Sequence, residues 1–239
     1  MTYNELFIAV KNYLQNDFPT NTWTDVAGTG TTTSNGTEQI NLFISQAEER
    51  IYNTVQIPPL RKNVTGTTTG GNKYLSCPSD FMSVFSMAVI DGTGNYEYLL
   101  NKDVNFIRAA YPNPASTGLP QYYALFGPTV ISSVTTDELS FILGPTPDAT
   151  YSMELHYYAY PESITVAGDG RTWLGDNYSP VLLYGAMVEA YIFLKGETDM
   201  MATYKGKYDE ALGQLNRLGT GLERGDAYRD GQAKIKVNP

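Results

Sequence analysis

The side chains able to carry chemistry are few: one histidine, His156, and one cysteine, Cys77, in a chain of 239 residues. Serine and cysteine nucleophiles rely on a nearby histidine, and zinc sites need several His or Cys ligands, so this inventory builds neither. A single cysteine also forms no intrachain disulfide. His156 sits inside the strand-like run MELHYYAY, where a half-buried or solvent-facing imidazole is expected rather than a base. Cys77 follows YLS and precedes Pro78, and reads as a small structural residue. The Gly-x-Gly pairs beginning at Gly28, Gly92 and Gly219 lack the third glycine, the preceding strand and the following helix of a phosphate cradle, which predicts turns. The run Asp91-Gly92-Thr93-Gly94-Asn95 lacks the alternating oxygen ligands and terminal glutamate of a calcium loop, and also predicts a turn. Scattered Asp and Glu leave a carboxylate pair for glycoside hydrolysis open, because only separation in space identifies one. The expectation is no catalytic residue, no metal and no cofactor.

The elements around these residues change character twice along the chain. Thr2 and Glu5 have capping-box spacing, and Leu6, Phe7, Val10, Tyr13 and Leu14 fall on one helical face, with Pro19 as the stop. Residues 17–37, with GTGTTTSNGT, have too little apolar surface to fold alone and predict a surface loop. A second helix is expected from Glu38 to Val55 on the stripe Ile40, Phe43, Ile44, Ala47, Ile51 and Val55, stopped by Pro58 and Pro59. From Leu60 to about Val166 short runs of Val, Ile, Phe, Tyr and Thr alternate with turn pairs, the pattern of a β domain. Its best hairpin is Leu139 to Leu143 with Tyr151 to Tyr160, and Asp103 to Ala110 adds a short helix.

Ser179 followed by Pro180 predicts a capped start for a third helix, apolar nearly all round, running to Lys195. Gly196 separates it from a fourth, Glu197 to Leu218, with Tyr204, Tyr208, Leu212 and Leu215 on one face. The fold class expected is α+β: a four-helix bundle formed by the N- and C-terminal helices, with an inserted antiparallel β domain. The boundaries are 1–58 for the N-terminal helices and loop, 59–170 for the insert, 171–218 for the C-terminal helical hairpin and 219–239 for an extended arm. That Gly-rich arm either lacks order or gains it by inserting into a neighbouring molecule.

Composition narrows the function classes. Sixteen basic against twenty-five acidic residues give a formal net charge of -9, which disfavours adhesion to a phosphate backbone. No apolar run approaches the roughly 20 residues of a membrane span, and the N-terminus has no secretory pattern. Charged residues are 17% of the chain, below the roughly 25% usual for a soluble domain, while tyrosines number nineteen. An excess of tyrosine over charge fits either extensive partner contacts or a β domain that simply packs well.

Four stretches carry a resemblance: ISQAEERIYNTVQIPPLRKNVTG, YLSCPSDFMSVFSMAVIDGTGNYEYLLNKDVNFIRAAYPNP, FILGPTPDATYSMELHYYAYPESI and WLGDNYSPVLLYGAMVEAYIFLKGE. Spread from residue 44 to 197, they resemble the head-to-tail adaptor proteins of tailed bacteriophages, of the tail tubular protein A type. The resemblance implies a structural virion protein made in the host bacterial cytoplasm. It implies a homo-oligomeric ring, usually a dodecamer, between the portal protein and the tail or nozzle protein, through which DNA passes without specific binding during ejection. It also implies a C-terminal arm reaching the portal, with Tyr228, Arg229, Lys234, Ile235 and Lys236 as its contact residues. A receptor- or glycan-binding tail or collar module is the alternative, and fibre-like repeats or heptads that would favour it are absent from the sequence.

Overall fold

The computed structural model describes residues 1–18, 20–24, 31–113, 115–127, 130–131, 134–135 and 139–222. In chain order the elements are α1 (Tyr3–Leu14), β1 (Asn21–Thr24), β2 (Thr31–Ser34), α2 (Gly36–Thr54), a 3-10 turn (Pro58–Leu60), β3 (Arg61–Thr67), β4 (Tyr74–Ser76), β5 (Phe81–Ile90), β6 (Tyr96–Tyr98), β7 (Leu100–Asn101) and α3 (Val104–Ala110). They continue with β8 (Tyr122–Phe126), β9 (Val130–Ile131), β10 (Val134–Thr135), β11 (Ser140–Gly144), β12 (Ser152–Ala159), α4 (Trp173–Asn177), α5 (Ser179–Phe193) and α6 (Thr198–Leu222). The fold is mixed α+β, with two four-stranded, largely antiparallel sheets. It divides into two compact units, Met1–Pro59 with Pro161–Pro239, and Leu60–Tyr160.

In the helical unit α5 is the central element and touches α1, α2, α4 and α6. Its sequence explains this: Val181, Leu182, Leu183, Ala186, Met187 and Val188 are buried around the whole circumference of its middle, and only its ends, at Pro180, Ile192 and Phe193, are exposed. Gly185 lets its neighbours approach closely, since a Cβ there would lie 3.1 Å from Ala47 Cβ on α2 and 3.3 Å from Tyr208 Cε2 on α6. The helix starts differ in their chemistry. Thr2 and Asn35 each cap a helix and form full capping boxes with Glu5 and Glu38. Ser179 does not cap α5: the cap position is Tyr178, with no side-chain bond, and Pro180 in the first turn supplies the start.

Two helix ends depart from expectation. Helix α1 stops at Leu14, ahead of Pro19, because Gln15 turns into the left-handed region at φ 48°. Helix α6 runs through Gly219 to Leu222, where a turn was expected. Gly219 is buried against Ile57, and any Cβ would collide with that side chain, so close packing and not chain reversal accounts for the glycine.

The β unit is a sandwich of sheets ordered β4-β11-β8-β7 and β3-β12-β5-β6, antiparallel except for the β7–β8 pair. Phe141, Leu143 and Tyr123 from the first sheet and Met87, Met153 and Leu155 from the second fill its interior. The expected hairpin between Leu139–Leu143 and Tyr151–Tyr160 does not form. Strand β11 pairs with β4 and β8, and β12 with β3 and β5, so the intervening loop crosses from one sheet to the other. Both runs are apolar because they face each other across the core rather than within one sheet. Strand β11 is buried on both faces, since α3 covers its other side through Ile107 against Ile142 and Ala124.

Candidate interaction surfaces

The residues with catalytic potential lie apart and are engaged locally. His156 is 43% exposed on the outer face of β12, its Nε2 3.2 Å from Glu154 Oε1. Glu154 also accepts from Asn63 Nδ2 at 2.6 Å, and these two bonds, Asn63 first, hold its carboxyl below the usual range. Cys77 is buried, and its N–H donates to the Leu139 carbonyl. Asp91 Oδ1 accepts from the Thr93 N–H, the Thr93 hydroxyl and the Asn95 N–H, which pulls its pKa down to about 2. Its oxygens close the turn between β5 and β6 instead of facing a cation. Among the described residues no three His, Cys, Asp or Glu side chains cluster as metal ligands.

The helical unit buries charge. Glu48 on α2 is 3% exposed, and its Oε1 accepts the Ile164 N–H at 3.0 Å, with the Ser163 side chain as a further donor. Oε2 has no partner, and burial raises the carboxyl pKa above its ordinary value. Tyr52, one turn on, is pushed up by burial and then by the Glu48 charge. Arg50 pairs with Glu189 and so links α2 to α5. The Arg50–Glu189 pair joins helices from distant parts of the sequence, and Glu48 ties α2 to the Ser163–Ile164 segment.

The β unit presents two aromatic outer faces. On the sheet containing β3, Arg61 lies 4.1 Å from the Phe85 ring centroid and donates to the Tyr158 hydroxyl at 2.7 Å, while Tyr96 and Tyr98 stand exposed on β6. At its end Lys62 meets Asp80 at 2.5 Å, and Tyr157, pushed up to about 12 by burial and by its bond to Asp80, donates to the same carboxylate at 2.8 Å. On the other sheet, α3 is too short to cover the face. Phe106, Phe126 and Tyr74 stay 43%, 38% and 38% exposed, each beneath a cation: Lys102 at 5.3 Å, Arg108 at 5.8 Å and Lys73 at 5.4 Å from the ring centroids. Lys73 and Arg108 also line a 250 Å³ cleft floored by Ile107, Tyr111, Ile142 and Leu143.

Sequence reasoning missed these faces. Lys73 with Tyr74 and Lys102 with Phe106 are close in sequence, but Arg108 over Phe126 and Arg61 over Phe85 join separate elements and leave no local signal. The expected arm residues Tyr228, Arg229, Lys234, Ile235 and Lys236 lie outside the described residues. No described helix is long and apolar enough to cross a membrane. A family model described as SU10 adaptor protein matches residues 1–233. No curated protein matches the chain.

Proposed function

The chain belongs to the SU10 adaptor protein family, a family of phage head-to-tail adaptors, and on that premise we propose that it is the subunit of a ring between portal and tail. The observation that carries this reading is the family match across residues 1–233. In this proposal α1, α2, α5 and α6 act as a four-helix body, into which the antiparallel β domain is inserted as an outer or tail-facing surface. The ring is a dodecamer that encloses a conduit for DNA during ejection, and the protein has no enzymatic role. Its contacts are with its own copies, with the portal protein and with the tail or nozzle protein.

Two physical points support the reading. A closed ring uses a heterologous contact, so each copy needs two unlike faces, and a helical unit joined to an aromatic-faced β unit offers them. A net charge of -9 lets DNA pass without adhering. Residues 223–239 are proposed as the arm that engages the portal, through Tyr228, Arg229, Lys234, Ile235 and Lys236.

Solution mass and electron images of the purified protein, alone and with the portal protein of the same phage, test the ring. Closed rings in either sample are the expected result, whereas a stable trimer or a melting temperature raised by glycans would replace the adaptor with a binding module. Deleting residues 223–239 leaves α6 intact and should abolish portal docking; unchanged docking would remove the arm from the proposal.

A further inference from the structure

We infer that the face built by α3 and the sheet β4-β11-β8-β7 docks the acidic helical surface of a second copy of this chain, head to tail. The inference rests on the adaptor reading above and assigns one of its subunit contacts. Lys73, Lys102 and Arg108 form no ion pair among the described residues, although the chain as a whole is acidic. Each of them lies over a partly exposed aromatic ring, so the face combines apolar area with unbalanced positive charge. Arg108 and the three rings are of residue types enriched in protein contacts, while Lys73 and Lys102 add the charge that selects an acidic partner.

The sign of the charge decides the occupant. A two-fold contact through this face would set the same three cations of both copies against one another, and such like-charge juxtaposition is unfavourable. A head-to-tail contact avoids this, because it sets the face against a different surface of the next copy. The helical unit supplies the complement: Glu49, Glu197, Asp199 and Asp209 are exposed and form no ion pair among the described residues, and they outnumber the likewise exposed and unpaired Lys195, Lys205 and Arg217. Duplex DNA is the less suitable occupant, since cations folded back on rings do not form the projecting row that tracks a phosphate backbone.

The test couples neighbouring amines and carboxylates with a zero-length carbodiimide in an equal mixture of 15N-labelled and unlabelled full-length protein. Mixed-isotope links from Lys73 or Lys102 to acidic residues of the helical unit are expected. The Lys102→Glu/Arg108→Glu double variant should weaken self-association by about tenfold or more, with its thermal unfolding unchanged. Intermolecular links that bypass both lysines would overturn the assignment of this face while leaving the ring intact. The coupling is run both on the protein alone and with the portal protein of the same phage, and an absence of any mixed-isotope link in both samples would remove both the face and the ring. If the double variant instead lost affinity for duplex DNA and kept the links of the parent protein, the face would be a nucleic-acid site and the inference would fall.

Discussion

Replacing Glu48 tests whether the helical unit carries an uncompensated buried charge. The carboxylate is 3% exposed, one oxygen accepts the Ile164 N–H at 3.0 Å, and the other has no partner. Glu48→Ala removes the acceptor and leaves a buried N–H unpaired, a loss of about 1–3 kcal/mol. For a chain of this size each kcal/mol moves the melting temperature by about 2–4 °C, so a clear fall is expected. Glu48→Gln keeps an acceptor of nearly the same shape and removes the charge. Because burial raises the folded-state pKa above its unfolded value, the native state binds the extra proton between the two values. The wild type therefore loses stability as pH rises through that interval, and its deficit is complete above the folded pKa. Glu48→Gln should thus gain on the wild type at neutral pH and lose that advantage as pH falls below the ordinary carboxylate range. Circular dichroism melts of the three proteins from acid to neutral pH read this directly. A difference between Gln and Glu that is constant with pH, or that grows in acid, would refute the buried-charge account.

Gly185→Leu forces a side chain between Ala47 and Tyr208 where a Cβ already lies 3.1 Å from its neighbour. Overpacking of this kind costs about 1–3 kcal/mol, visible as a lower melting temperature. Phe141→Ala empties the sandwich centre, where the ring stands edge-on to Phe81 at 5.5 Å and Tyr123 at 5.9 Å; a loss of about 3–5 kcal/mol is expected in denaturant titration. Asp91 has a pKa depressed to about 2, so the stability it contributes is present above its unfolded value and lost as pH falls toward 2. Asp91→Asn should therefore flatten the acid end of the pH–stability profile, and an unaltered profile would remove the turn bonds as its cause.

What the sequence made legible was local. The stripe Ile40, Phe43, Ile44, Ala47, Ile51 declares α2 because residues at helical spacing share one buried face, and Thr2 with Glu5 declares the start of α1. The failures are non-local. Asn35 is the exception: its spacing to Glu38 is the same local capping-box signal as Thr2 with Glu5, obscured by the polar Gly/Thr-rich stretch that precedes it. Gly219 carries a breaker's signal, but its contact with Ile57 decides its conformation, and Ile57 is remote in sequence. The partners of β11 and β12 could not be read from their shared apolarity, because facing strands of two sheets and paired strands of one sheet look alike in sequence. The same limit hid the candidate surface: Arg108 meets Phe126, and Arg61 meets Phe85, only once the strands are in register.

Strands β3 and β12 are the first and last of the β unit, and Arg61 stands directly opposite Tyr158 in their ladder. The unit therefore delivers the chain back beside the point where it received it. Without that device, bringing α2 and α5 together would mean closing a loop of about a hundred residues, an entropic cost on the order of 4 kcal/mol by the logarithmic law. Once the β unit has folded, that loop shrinks to a short clasp, and the contact between α2 and α5 becomes nearly local. During synthesis the β unit also emerges before α5 and α6 exist. The order expected for the nascent chain is therefore sandwich first, with the late helices returned to the early ones afterwards, and protease protection of the β unit in chains arrested before Ser179 would check it.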